Sequence, residues 1–110
     1  MATARMRRVN EAIREVLAAA IATEMKDPRI GFVTVTEVDT SPDLRAARVY
    51  VSVLGSEAER EETLAGLESS HGFLQGKIAS EMRIKRTPTL TFHYDESVDR
   101  GARISRLLDQ

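Results

Sequence analysis

The sequence predicts an α+β domain built on a mixed three-stranded sheet with its helices packed on one face. Three observations lead there. An apolar stripe of helical period fills the first fifth of the chain. Two segments of period two then flank a short polar connection. A second helical stripe follows, and it leads into a third segment of period two.

The first helix is read from Met6, Val9, Ile13, Val16, Leu17, Ala20 and Ile21, which recur at steps of three and four. Asp27-Pro28 stops it, because proline disfavours helix in the residue before it. Arg7 and Arg14 lie two turns apart on one polar face, with Arg5 and Arg8 near the start. Cations at a helix N-terminus oppose the macrodipole, so helix stability does not account for them.

From Gly31 the period changes to two. FVTVTEV places Val33 and Val35 on one face, with Phe32, Thr34 and Thr36 on the other. TSPDL supplies turn residues. RAARVYVSVL then sets Ala47, Val49, Val51 and Val53 against Arg48, Tyr50 and Ser52, so the two strands form a hairpin.

Ser56 and Glu59 have the spacing of a capping box, followed by a first turn rich in acids: Glu57, Glu59, Glu61 and Glu62. Leu64, Leu67, His71, Leu74, Ile78 and Met82 carry the stripe onward through SSHGFLQGKIA, which contains both Gly72 and Gly76. A glycine inside a helix costs about 0.5–1 kcal/mol relative to alanine. Because the stripe crosses the glycines, the prediction is a kinked helix pair, not a loop. LTFHY is the third strand, with Leu90, Phe92 and Tyr94 facing one way and Thr91 and His93 the other. Ser97 is placed to cap a short C-terminal helix through Val98, Ile104, Leu107 and Leu108. The long helical crossover permits a parallel pairing of the second and third strands beside the antiparallel hairpin.

The 110 residues contain no repeat, linker or low-complexity tract, so residues 1–110 are read as one domain. There is no cysteine, which excludes disulfides and thiolate metal sites. No apolar run approaches the ~18 residues of a membrane span, and the N-terminus lacks the apolar core of a secretory signal. The expectation is therefore a soluble cytoplasmic protein without membrane contact. The net charge of −1 conceals an uneven distribution, with basic ends around an acidic middle.

Catalytic motifs are absent. His71 and His93 fall on different elements without metal-ligand spacing, and His71 reads as a packed or capping residue. Asp95 and Glu96 beside His93 are explained by a solvated turn, and a hydrolase built on them is the weakest reading. No cofactor, metal or small-molecule substrate is expected. Cations are the stronger signal. Lys77, Arg83, Lys85 and Arg86 form one group, and Arg5, Arg7, Arg8 and Arg14 another. Each group suits a solvated face; if they converge in space, they also suit a phosphate-binding surface beside the helix junction.

RVNEAIREVLA, MKDPRIGFVTVTEVDTSPDLRAARVYVSV, HGFLQGKIASEMRIKRTPTLTFHYDES and RGARISRLL together resemble the ribosome-binding factor A family over almost the whole chain. The resemblance implies a type II KH-like fold in the order derived above. KH domains clamp nucleic acid with a G-x-x-G loop between paired helices. The family has instead an Ala-x-Gly kink, whose matching residues here are Ser70, His71 and Gly72, with serine in the first place. It also implies a non-enzymatic, monomeric RNA-binding assembly factor that binds the free 30S subunit and 16S rRNA. Its work would be late maturation and rRNA processing near the 5′ terminal helix, with a role in the cold. The alternative is a protein–protein adaptor, docking a partner through the acidic Glu57–Glu62 helix start or the hairpin edge.

Overall fold

The computed structural model describes residues 3–97. Its elements are α1 (Ala4–Thr23), β1 (Val33–Thr40), β2 (Ala46–Val53), α2 (Glu57–Ser69), α3 (His71–Glu81) and β3 (Thr89–Tyr94). The sheet order is β1-β2-β3, with β1 antiparallel and β3 parallel to the central strand. This is the mixed sheet that the sequence predicts. The short helix expected from Ser97 through Leu108 lies outside the described residues.

Alternation decides which strand face is buried. Ala47, Val49, Val51 and Val53 of β2 all point into the core, as does Leu90 of β3. Strand β1 departs from strict alternation. Its register shifts between Val35 and Glu37, so Val33 and Val35 turn inward before the shift and Val38 and Thr40 after it. The bulge keeps Glu37 and Asp39 in solvent, where an unbroken period of two would have buried them beside the valines.

The helices supply the other half of the core. Ile13, Leu17, Ala20 and Ile21 of α1, Leu67 of α2, and Leu74 and Ile78 of α3 pack with the sheet valines and Leu90. Helix α1 ends at Thr23, four residues before Asp27. Thr23 Oγ1 donates to the Ala19 carbonyl at 2.7 Å, and the Glu24 amide donates to the Ala20 carbonyl. Three side chains fix the layers by bonding buried or half-buried backbone. Asn10 Oδ1 accepts from the Thr40 amide at 3.0 Å, and Gln75 Oε1 accepts from the Leu90 amide at 3.1 Å. The Thr63 hydroxyl donates to the Arg29 carbonyl at 3.2 Å and accepts from the Gly31 amide at 3.4 Å. Such groups are costly to bury unbonded, so these contacts specify how the layers meet.

Ser56 closes the predicted capping box on α2, with reciprocal bonds to Glu59. The backbone amide of Ser56 holds the Glu59 carboxyl below its ordinary range.

Between α1 and β1, Asp27 receives both the side chain and the backbone amide of Arg29, and its pKa falls from 3.8 to about 2. A carboxyl with a depressed folded pKa stabilises the fold above its unfolded pKa, and that contribution is lost as pH falls toward about 2. An NMR titration should show Asp27 with a midpoint near 2, moving back toward 3.8 in Arg29→Ala. An ordinary midpoint in the unsubstituted protein would contradict the pairing.

The glycines divide sharply. A Cβ on Gly66 would lie 2.8 Å from Ile30 Cγ1, whereas a Cβ on Gly72 or Gly76 meets nothing within 4 Å. Gly72→Ala and Gly76→Ala are therefore expected to stabilise the domain by about 0.5–1 kcal/mol each, the usual helical gain. Gly66→Ala should forfeit that gain through overpacking, which typically costs about 1–3 kcal/mol. Thermal denaturation of the three variants measures the contrast, and equal shifts would refute the close packing at Gly66.

Candidate RNA interface

The helix pair breaks at Ser70. This residue has φ −99° and ψ 8°, and its amide is shared between the Gly66 and Leu67 carbonyls at 3.2 and 3.0 Å. Its own carbonyl accepts the Leu74 amide at 3.1 Å, so one helix ends and the next begins at the same residue. The predicted kink is present, and its pivot is Ser70. Gly72 is already the second residue of α3 and Gly76 is also within that helix; neither has positive φ.

His71 caps the junction. Its Nδ1 lies 2.7 Å from the Glu68 carbonyl, one of the acceptors left over at the end of α2. The ring is exposed, not packed on the stripe, because the break at Ser70 turns it away from Leu67 and Leu74.

The cations sort into three groups. Arg5 at the start of α1 meets Arg83 and Lys85, which lead from α3 toward β3, around one groove. Met6, Val9, Pro42, Leu44 and Ile84 supply its apolar surface. Of the two basic groups, only Arg5 from the first and Arg83 and Lys85 from the second meet here. Thr3 lines the same groove and caps α1, its hydroxyl accepting from the Met6 amide at 3.1 Å. The cap fixes the helix start, and with it the base of the Arg5 side chain. Arg83, Lys85 and Arg86 are exposed in the segment between α3 and β3.

Arg7 and Arg14 go elsewhere. They share a groove with Asn10, Glu11, Glu37 and Asp39 along the seam of α1 and β1. Arg14 pairs with Glu11, which lowers the glutamate pKa and raises that of the arginine. Asp39 in turn accepts from Arg48 at 3.0 Å. Surrounding acids make this second groove a weaker attractor for phosphate. Arg8 is exposed on α1.

Lys77 reaches back across the helix layer to Glu24 at the end of α1, 2.6 Å away, and the glutamate raises its pKa. Its ammonium also lies 6.0 Å from the Phe73 ring centroid. Ser70, His71 and Gly72 are in neither basic groove. The sequence-derived residues thus form an exposed Arg5–Arg83–Lys85 groove, a mixed-charge seam at Arg7 and Arg14, and a kink with Lys77 tied to α1.

His93 Nε2 sits 2.9 Å from Thr91 Oγ1, and its ring lies 5.5 Å from that of Tyr50. Asp95 accepts from Thr36 Oγ1 at 2.6 Å and from Ser97 Oγ at 2.5 Å. The described residues hold no group of three or more side chains suited to a metal ion. No helix among them is long and apolar enough to cross a membrane.

The element order, the parallel β2–β3 pairing and the interhelical break define a small α+β domain of the type II KH-like class. The chain belongs to the ribosome-binding factor A family, whose model matches residues 5–108. It is similar to the crystal structure of ribosome-binding factor A from Thermus thermophilus, at 28% identity and TM-score 0.72, over 81% of this chain and 94% of that one. A solution structure of a candidate ribosome-binding factor A from Thermotoga maritima matches at 34% identity and TM-score 0.74, over 84% and 89% of the two chains. A homology model of the Thermus thermophilus factor, fitted into a cryo-EM map of its complex with the 30S subunit, matches at 29% identity and TM-score 0.66, over 79% and 91%.

Proposed function

We propose that this protein is a non-enzymatic assembly factor that binds the free 30S subunit through 16S rRNA during late maturation. It supports rRNA processing near the 5′ terminal helix and acts at low temperature as a cytoplasmic monomer. The observation that carries the reading is the convergence of Arg5, Arg83 and Lys85 on one groove. Guanidinium and ammonium groups around a partly apolar groove suit RNA, with cations on phosphate and apolar surface beneath sugar or an unstacked base. Family membership and the 30S complex of a structural relative support the same partner. Cold stabilises misfolded RNA helices, and a protein that binds one arrangement preferentially shifts the population toward it without breaking a bond.

Crosslinking the protein to free small subunits and mapping both partners tests this. The expected protein crosslinks fall on the start of α1 and on residues 70–86, and the expected RNA crosslinks near the 5′ terminal helix. Crosslinks confined to the acidic start of α2 would refute RNA binding through the groove and favour the adaptor reading.

A further inference from the structure

The end of the sheet away from the cationic groove is apolar. Phe32 and Leu54 are 79% and 76% exposed, and they sit side by side where the hairpin ladder runs out, the Leu54 amide donating to the Phe32 carbonyl at 3.1 Å. Both line one groove with Val33, Val53 and Tyr94. Phe32 also borders a second groove, with Ile21, Met25 and Ile30. Adjacent large apolar side chains over neighbouring grooves mark a surface that something covers. Charge does not choose the occupant, because Arg60 is the sole charged side chain lining either groove. Connectivity does.

Strands β2 and β3 run parallel, so both leave the sheet at this end. Tyr94, the last residue of β3, pairs with Val51 and is itself part of the groove wall. The exit is pinned to the sheet. The Asp95 amide donates to the Val51 carbonyl at 2.8 Å, and Asp95 Oδ2 accepts from Thr36 Oγ1 of β1 at 2.6 Å. Asp95 Oδ1 accepts from the Ser97 amide at 3.0 Å, as an N-capping side chain does, and Glu96 and Ser97 have helical backbone. Residues 98–110 therefore start beside the groove, from a fixed point.

Their sequence, VDRGARISRLLDQ, sets Ile104, Leu107 and Leu108 at the spacing of one apolar helix face. Leu54 lies three strand residues beyond Val51, about 10 Å along the sheet. Ile104 lies seven residues beyond Ser97, a reach of about 10 Å even at the 1.5 Å rise of a helix. A tether this short presents its apolar side chains to the groove at about millimolar effective concentration. We propose that the Phe32–Leu54 end of the sheet is the docking site of the chain's own segment 98–110, anchored by Ile104, Leu107 and Leu108. Eight residues of β1 at about 3.3 Å each separate this end from the other by about 25 Å, so the docked segment leaves the Arg5–Arg83–Lys85 groove open.

The full chain has no cysteine, so a nitroxide attached through Asp109→Cys is a single label. In the NMR spectrum the amides of residues 32–34 and 53–55 should lose most of their intensity, equally at every protein concentration. Adding Ile104→Ser/Leu107→Ser/Leu108→Ser to the labelled chain should restore that intensity, and so should adding Phe32→Ser/Leu54→Ser, which removes the other half of the contact. Full intensity at these amides in the labelled chain would leave the face to a separate partner and overturn the proposal. Broadening that persists in both serine variants would overturn it too, since the segment would then lie near the face without being held by it. A mixture of labelled chain with isotope-enriched, unlabelled chain distinguishes the remaining occupant. Broadening of the enriched chain there would assign the face to a second copy, against the proposal.

Discussion

Replacing Arg5, Arg83 and Lys85 together with alanine is expected to weaken binding to free small subunits about a hundredfold. It should also reduce the slope of log affinity against log salt by about 2–3. The affinity figure takes about 1 kcal/mol for each solvent-exposed cation–phosphate contact, the upper end for a surface ion pair, and about 1.4 kcal/mol for each factor of ten. The slope follows from about 0.7–0.9 for each phosphate no longer neutralised. The three residues stand on two separate chain segments and share one groove, so the triple substitution tests the convergence itself. All three are exposed, so the fold should survive and the melting temperature should hardly move. Arg7→Ala/Arg14→Ala is the internal control. Those arginines lie among Glu11, Glu37 and Asp39, and their removal should change the slope by less than half as much. Equal effects from the two variants would mean that RNA lies along the α1–β1 seam, and an unchanged slope in both would exclude either groove as the phosphate site.

What the sequence made legible was periodicity. The α1 stripe, the inward valines of β2 and the capping box at Ser56 follow from local chemistry, and the structure has them where the spacing puts them. What periodicity leaves unsaid lies where the period is interrupted. In β1 the three-residue step from Val35 to Val38 is the local sign of a bulge, and FVTVTE reads as unbroken alternation until Val38 is added. At the helix pair, a continuous stripe from Leu67 to Leu74 would enclose His71, yet the break at Ser70 resets the backbone and leaves that ring at the junction. The requirement for glycine at position 66 is tertiary. Only packing against Ile30 reveals why that position takes no larger residue, although the buried Thr63, Gly66 and Leu67 share a helix face that spacing alone could have found.

The candidate site was legible as a set of cations and not as a grouping. Eight cations in two segments are visible in the sequence, but the sheet register and the rotation of α1 decide which of them meet. Arg5 and Arg7 are two residues apart, so on a helix they point in different directions. One faces Arg83 and Lys85, and the other faces the acids of β1. Lys77 is diverted by Glu24, a contact between helices that no motif encodes.

Leu74→Ala is expected to destabilise the domain by about 2–5 kcal/mol, while Phe73→Ala, one residue earlier, should cost less than about 1 kcal/mol. Leu74 is fully buried, and truncating it opens a cavity between α3, the sheet and α1. Phe73 is 48% exposed and has Lys77 as its near neighbour. Against a typical total of about 5–15 kcal/mol, the first substitution removes a large share of the stability, and the melting point should fall by about 10 °C or more. The functional consequence separates scaffold from site. Helix α3 is anchored by Leu74, Ile78 and the Gln75–Leu90 bond, and the chain leaving it carries Arg83 and Lys85 to the groove. Leu74→Ala should therefore bind small subunits almost normally at temperatures where it remains folded, and lose binding in step with its unfolding transition. If affinity falls tenfold or more in the folded variant, α3 positions the cations through Leu74 more tightly than its helical bonds alone require. If Phe73→Ala proves the more destabilising of the pair, the assigned rotation of α3 is wrong, and the placement of Arg83 and Lys85 falls with it.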